Sequence, residues 1–246
     1  MLLKRFLPAV TLAALVIAPA SAFASSITWG AATNISGDAD VSTTGALVDA
    51  FNIGGSGVGG TTVNGVLFSP FALGGTSATT GNFTFTMNAG GFGTNSSTGS
   101  ANAPFASLSA GYQTLLSSAE SVIPSSVLTM TGLTAGDTYA FEWWANYSAT
   151  GSNQGTTATN GNAVSLALNT GAAGGLGQFA IGTFTADGTG TETVTFGPNS
   201  GFYMLNGFQL RDVAGSAAVP EPATLLLLGT GLAAVARRVR RQRRSL

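Results

Sequence analysis

From Ser25 to Ala218 the chain offers few side chains with reactive chemistry. It has no histidine, lysine or cysteine there, a single cation in Arg211, and nine carboxylates: Asp38, Asp40, Asp49, Glu120, Asp137, Glu142, Asp187, Glu192 and Asp212. Hydroxyls are plentiful, but a serine or threonine nucleophile needs a general base beside it, and neither imidazole nor amine is present to serve. Zinc lacks its thiolate and imidazole ligands, and no disulfide framework can form. Carboxylate chemistry is what remains. A glycosidase needs two acids flanking the scissile bond, one with a raised pKa. Glu142 lies between aromatics in Tyr139-Ala-Phe-Glu-Trp-Trp144 and is the best-placed acid. Glu120 falls in a helical stretch and Glu192 beside a glycine-rich turn. The simpler reading of Glu142 is an exposed strand position.

Three further patterns bear on binding. Asp38 and Asp40, in Ser36-Gly-Asp-Ala-Asp-Val-Ser42, offer two hard oxygen ligands to a structural calcium ion, and Asp-x-Asp after glycine is equally ordinary turn chemistry. Trp143 and Trp144 are neighbours on a strand and must point to opposite faces. One then fills a core, while the other can offer a platform for a stacked sugar ring; packing both at core and edge is the simpler alternative. Gly55-Ser-Gly-Val-Gly-Gly60 satisfies G-x-G-x-x-G. A dinucleotide site needs a helix next, whereas Thr61 to Phe68 is β-like, so the run reads as a flexible loop.

The elements that must position these residues are strands. Short runs rich in Val, Phe, Thr and Tyr recur between Gly, Asn, Ser and Pro clusters. The predicted strands are Ser26–Gly30, Leu47–Ile53, Thr61–Phe68, Asn82–Asn88, Val127–Met130, Thr138–Tyr147, Val164–Asn169, Gln178–Thr185, Glu192–Phe196 and Phe202–Arg211. Alternation is clearest in Thr138–Tyr147. Tyr139, Phe141, Trp143, Ala145 and Tyr147 share one face, and Ala140, Glu142, Trp144 and Asn146 the other. From Tyr112 to Val122 the apolar residues instead fall at helical spacing, predicting one short helix that stops before Pro124. The fold class is all-β, an antiparallel sandwich of two packed sheets, spanning residues 25–218 as one domain. That body carries a net charge of −8. With no basic patch it has no surface for nucleic acid or anionic lipid.

The two ends have a different composition. Residues 1–24 read as a signal peptide: Lys4 and Arg5 precede an apolar stretch from Phe6 to Ile17, and Ala22-Phe-Ala24 gives signal peptidase a small-x-small site. Residues 219–246 hold a Pro220-Glu221-Pro222 elbow, an uncharged run from Ala223 to Ala236, and arginines at 237, 238, 240, 241, 243 and 244. As a helix the apolar run spans about 21 Å, short of the ~30 Å hydrocarbon core, so it suits transient membrane insertion with the arginines held inside. In these residues the chain resembles the PEP-CTERM sorting signal of Gram-negative bacteria. The resemblance implies a single transmembrane helix, recognition by an exosortase near Pro-Glu-Pro, and release or transfer to the cell surface of an exopolysaccharide-making bacterium.

Within the body, Leu128-Thr-Met-Thr-Gly-Leu-Thr-Ala-Gly-Asp-Thr-Tyr139 resembles the corner shared by fibronectin type III domains and jelly-roll carbohydrate-binding modules. Tyr203-Met-Leu-Asn-Gly-Phe-Gln-Leu210 is similar to the last strand of such jelly rolls. Phe51-Asn-Ile-Gly-Gly and Val63-Asn-Gly-Val-Leu-Phe68 look similar to malectin-like jelly rolls. Length favours the jelly roll, since a fibronectin-type sandwich needs only ~100 residues. The expectation is an exported, non-enzymatic protein of the cell surface or the exopolysaccharide (biofilm) matrix, without a cofactor unless calcium binds at Asp38 and Asp40. The alternatives are a carbohydrate-binding module using an exposed Trp, or a glycosidase built around Glu142. The expected partners are signal peptidase, exosortase, the inner membrane in transit, and exopolysaccharide.

Overall fold

The computed structural model describes residues 25–121, 124–151, 154–169 and 171–214. The signal peptide, the sorting segment and the helix proposed within it lie outside the described residues. In chain order the strands are β1 (Thr28–Trp29), β2 (Thr33–Asn34), β3 (Ala46–Gly54), β4 (Thr61–Val63), β5 (Val66–Ala72), β6 (Ser77–Thr80), β7 (Phe83–Met87) and β8 (Thr94–Asn95). They continue with β9 (Ala119–Glu120), β10 (Ser126–Met130), β11 (Thr138–Ala145), β12 (Gly155–Asn160), β13 (Asn162–Ala167), β14 (Gln178–Thr185), β15 (Glu192–Pro198) and β16 (Gly207–Asp212). One α-helix, α1 (Ala110–Leu116), joins them.

Two sheets face each other. One runs β1-β14-β11-β16-β3-β5-β4 with β2 beside β14; the other runs β13-β12-β15-β10-β7-β6. The pairings nest: β3 with β16, β10 with β15, β11 with β14, and β12 with β13, all antiparallel. These pairs alternate between the two sheets, so a long two-stranded ribbon is wound around the core. That is jelly-roll topology. The fold is thus the expected antiparallel sandwich, with one departure: β3 and β5 run parallel.

Alternation explains the core. Phe141, Trp143, Phe208, Leu210 and Phe51 on one sheet meet Phe83, Phe85, Leu128, Val194 and Phe196 on the other, all buried. Phe208 packs against Phe51, Phe83, Phe85 and Phe141 at ring separations of 5.3–5.9 Å, distances at which edge-to-face and offset pairs are favourable. Inward-facing Tyr139 closes the corner beside the sheet by accepting a hydrogen bond from the Thr134 amide at 3.0 Å.

The first sheet is covered on its other face too. Tyr112, Leu115 and Leu116 of α1 pack with Trp144, Phe68 and Phe179 in a second buried cluster. Ser109 caps the helix by accepting from the Tyr112 amide. Gly111 lets it lie against β4, because a Cβ there would come 2.1 Å from the Thr62 carbonyl oxygen.

Several element boundaries differ from expectation. The helix starts and ends earlier than Tyr112–Val122, and Glu120 is in β9, not in the helix. Thr61–Phe68 is a hairpin, turned by Asn64 and Gly65 at φ 47 and 76. Positive φ at both central residues gives the type I′ geometry that suits twisted strands. The Thr-rich β6 and β12 lie outside the predicted strands, having no large apolar residue.

Candidate functional site

The outer face of the first sheet, beneath segment 36–45 and α1, holds a buried polar cluster that includes Glu142, Gln209 and Arg211. In register across four strands lie Ile181, Glu142, Gln209 and Ala50. Glu142 is 1 % exposed, which corrects its expected place at an exposed strand position. The covering segment is what seals it. One carboxylate oxygen accepts from the Ser42 amide at 3.0 Å and from the Gln209 amide nitrogen; the other, Oε1, is buried without a partner. Burial pushes its pKa up to about 7, offset in part by those two donors.

Arg211 straps the same segment down. It donates to the carbonyls of Thr44 at 2.9 Å, Thr43 at 3.1 Å and Gly45 at 3.0 Å, and to Gln209 Oε1 at 3.1 Å. The body's single cation is therefore a buried fastener, 7 % exposed, and its pKa is lowered by that burial. A neighbouring chain runs from Trp144 Nε1 to Tyr112 Oη at 2.9 Å and from Tyr112 Oη to Asp40 at 3.3 Å. Sequence reasoning found Glu142 and Trp144 but missed Tyr112, Gln209 and Arg211 as their partners. The strand register, which pairs Gln209 with Glu142, was the signal it lacked.

The expected tryptophan platform is overturned. Trp143 and Trp144 are both 0 % exposed, one in each core, because α1 and its neighbours cover the outer face around Trp144. Glycan binding through an exposed Trp143 or Trp144 is excluded by that burial. A glycosidase around Glu142 meets the same obstacle: its carboxyl lies sealed under residues 36–45. The three glutamates do not share a cleft. Glu120 is buried elsewhere, accepting from Tyr203 Oη at 2.8 Å and Ser126 Oγ at 3.1 Å, and burial pushes its pKa up to about 7. Glu192 is held by Ser25 and Asn160.

Asp38 and Asp40 form a short 3₁₀ turn (Asp38–Asp40). Asp40 accepts from the amides of Ser36 and Gly37 at 2.7 and 2.9 Å and from Ser36 Oγ, while Asp38 accepts from Ser109 Oγ at 2.6 Å. Their lone pairs thus cap the turn and fix it to the helix start. Among the described residues no three of His, Cys, Asp and Glu gather as a metal ion would need. No described helix is long and apolar enough to cross a membrane.

Two uncharged surfaces stand out. The outer face of the second sheet carries rows of hydroxyls in register: Thr79, Thr84, Thr129 and Thr193 in one, and Ser77, Thr86, Val127, Thr195, Thr159 and Ala163 in the next. The second surface is a cleft of about 770 Å³ between the glycine loop 55–59 and α1. The loop is not slack: Asn52 donates to the Gly59 carbonyl at 2.9 Å, and the Val58 amide to the Gly55 carbonyl at 2.9 Å.

With the body accounted for, the tail decides the cellular role. Residues 218–241 match the PEP-CTERM protein-sorting motif. The match contains Pro220, Glu221 and Pro222, the apolar run and the first arginines, as the sequence led us to expect. A chain with this motif is an exosortase-sorted protein with an extracellular destination. Nothing among curated proteins or solved structures matches the chain.

Proposed function

We propose that the mature body is a non-enzymatic structural protein of the cell surface or exopolysaccharide matrix, delivered by the exosortase pathway. The PEP-CTERM motif carries the reading, because it marks an exported chain for sorting by an exosortase. The body's chemistry supports the rest. It has no His, Lys or Cys between residues 25 and 218, and Glu120 and Glu142, which have the right pKa for acid catalysis, are sealed in the interior. The threonine rows give one broad face with no charge, suited to standing among neutral polymer chains without attracting polyanions or divalent ions.

The test is the mass of the mature protein recovered from envelope, medium and purified exopolysaccharide. Loss of residues 1–24, truncation near Pro220 and recovery with the polymer are expected. An intact Arg237–Leu246 tail, or a body absent from both surface and polymer, overturns the proposal.

A further inference from the structure

The cleft beside the glycine loop belongs to none of the buried networks. Its volume lies within the roughly 300–1,000 Å³ of small-molecule sites. None of the residues lining it is charged. Phosphates, sulfates and uronates would meet no cation there, while the body around it is net negative. The walls are not apolar either, since Val58 and Ala110 alone contribute carbon side chains beyond the glycines.

What the walls offer is a mixture of donors and acceptors. The hydroxyls of Ser56, Thr94 and Ser96 make no hydrogen bond to another described residue. Thr114 and Ser117 donate back to the helix carbonyls of Ala110 and Gln113, keeping lone pairs for a donor in the cleft. Gln113 donates its amide nitrogen to the carbonyls of Ala106 and Leu108, leaving its oxygen as an acceptor. Such a set matches a molecule whose own groups both donate and accept, namely hydroxyls.

The glycines point the same way. Gly57 and Gly59 lie outside the left-handed region, and a Cβ at either would meet nothing within 4 Å. Neither turn geometry nor packing demands glycine at these two positions. Their effect is to leave backbone bare at the cleft, on a loop that Asn52 holds in place.

From these features we infer that the cleft binds a neutral sugar residue, one or two rings of an uncharged glycan. The inference rests on the matrix reading for the source of that sugar, and the site itself stands on the cleft's own chemistry. The experiment is saturation-transfer NMR on the full-length chain in detergent, with cellotriose, maltotriose and mannotriose as neutral probes and trigalacturonate as the anionic one. At least one neutral trisaccharide binds at about 1 mM or tighter, at least tenfold better than trigalacturonate. Gly57→Leu and Ser56→Leu each weaken it tenfold or more while the thermal midpoint is unchanged, because a Cβ at Gly57 meets nothing within 4 Å and Ser56 is exposed. No binding by any neutral probe overturns the assignment. So does a preference for trigalacturonate, or binding that both variants leave intact. Recovery of the unliganded protein with exopolysaccharide would then still uphold the matrix reading, so the two can fail separately.

Discussion

Glu120→Gln should make the protein more stable at pH 8 and leave it nearly unchanged at pH 5. Glu120 is 0 % exposed, and its pKa rises from 4.5 to about 7 because burial penalises the carboxylate. Above pH 4.5 the unfolded chain releases this proton while the folded chain keeps it, so stability falls as pH rises and levels off beyond pH 7. At about 1.4 kcal/mol per unit, the full loss is about 3 kcal/mol. Glutamine keeps the acceptor for Tyr203 Oη, and its NH2 can donate to Ser126 Oγ, which in turn donates to the tyrosine oxygen. The polar triangle is therefore closed without a charge. Urea unfolding at the two pH values measures the difference. For a slope near 2 kcal/mol/M, a gain of about 3 kcal/mol moves the midpoint up by about 1.5 M at pH 8. A variant destabilised equally at both pH values, or unchanged at pH 8, would refute the claim that Glu120 is buried in a site that resists its ionisation.

Glu142→Gln should also flatten the pH profile but gain less, since its NH2 would occupy the unpartnered Oε1 position, at a cost of about 1–3 kcal/mol, again read by urea unfolding. Arg211→Met should lower stability by about 2–4 kcal/mol, and hydrogen exchange at the Ser42 amide should speed up as residues 43–45 lose their fastener. Trp144→Phe should cost about 1–3 kcal/mol by deleting its indole donor to Tyr112 and leaving a void, measured by thermal unfolding. Chelation with EDTA should leave the thermal midpoint where it is, because Asp38 and Asp40 are capped by their own chain; a fall reversed by calcium would contradict this.

The strands that the sequence made legible were those with strict alternation and large apolar residues. Gln178–Thr185 is predicted to the residue, and β11 ends only two residues before its predicted limit. Long-range facts were not legible. The same alternation that put Trp144 opposite Trp143 could not say that a helix and a loop cover that second face, so one of them was expected at the surface. Glu142 was misplaced for the same reason. Its burial depends on residues about 100 positions earlier in the chain, and on Gln209 brought beside it by register. The glycine run was read correctly as a loop, but that it walls a cleft depends on α1, to which nothing in the motif refers.

The order of strands also bears on how the two ends can be removed. The last strand, β16, is not at an edge: it pairs with β11 on one side and β3 on the other. The body's hydrogen-bonded sheet is complete at Asp212, and the sorting motif begins at residue 218. At the other end β1 starts at Thr28, just after the expected cleavage site at Ala24, and lies at the margin of the same sheet. Both expected cuts thus fall outside the sandwich. A body ending at residue 219 should unfold at the same temperature as the full-length chain. One ending at residue 206 should not fold, since it loses the strand that joins the two halves of the first sheet. If the form ending at residue 219 were the unstable one, the tail would be part of the fold, and sorting by cleavage would have to destroy what it delivers.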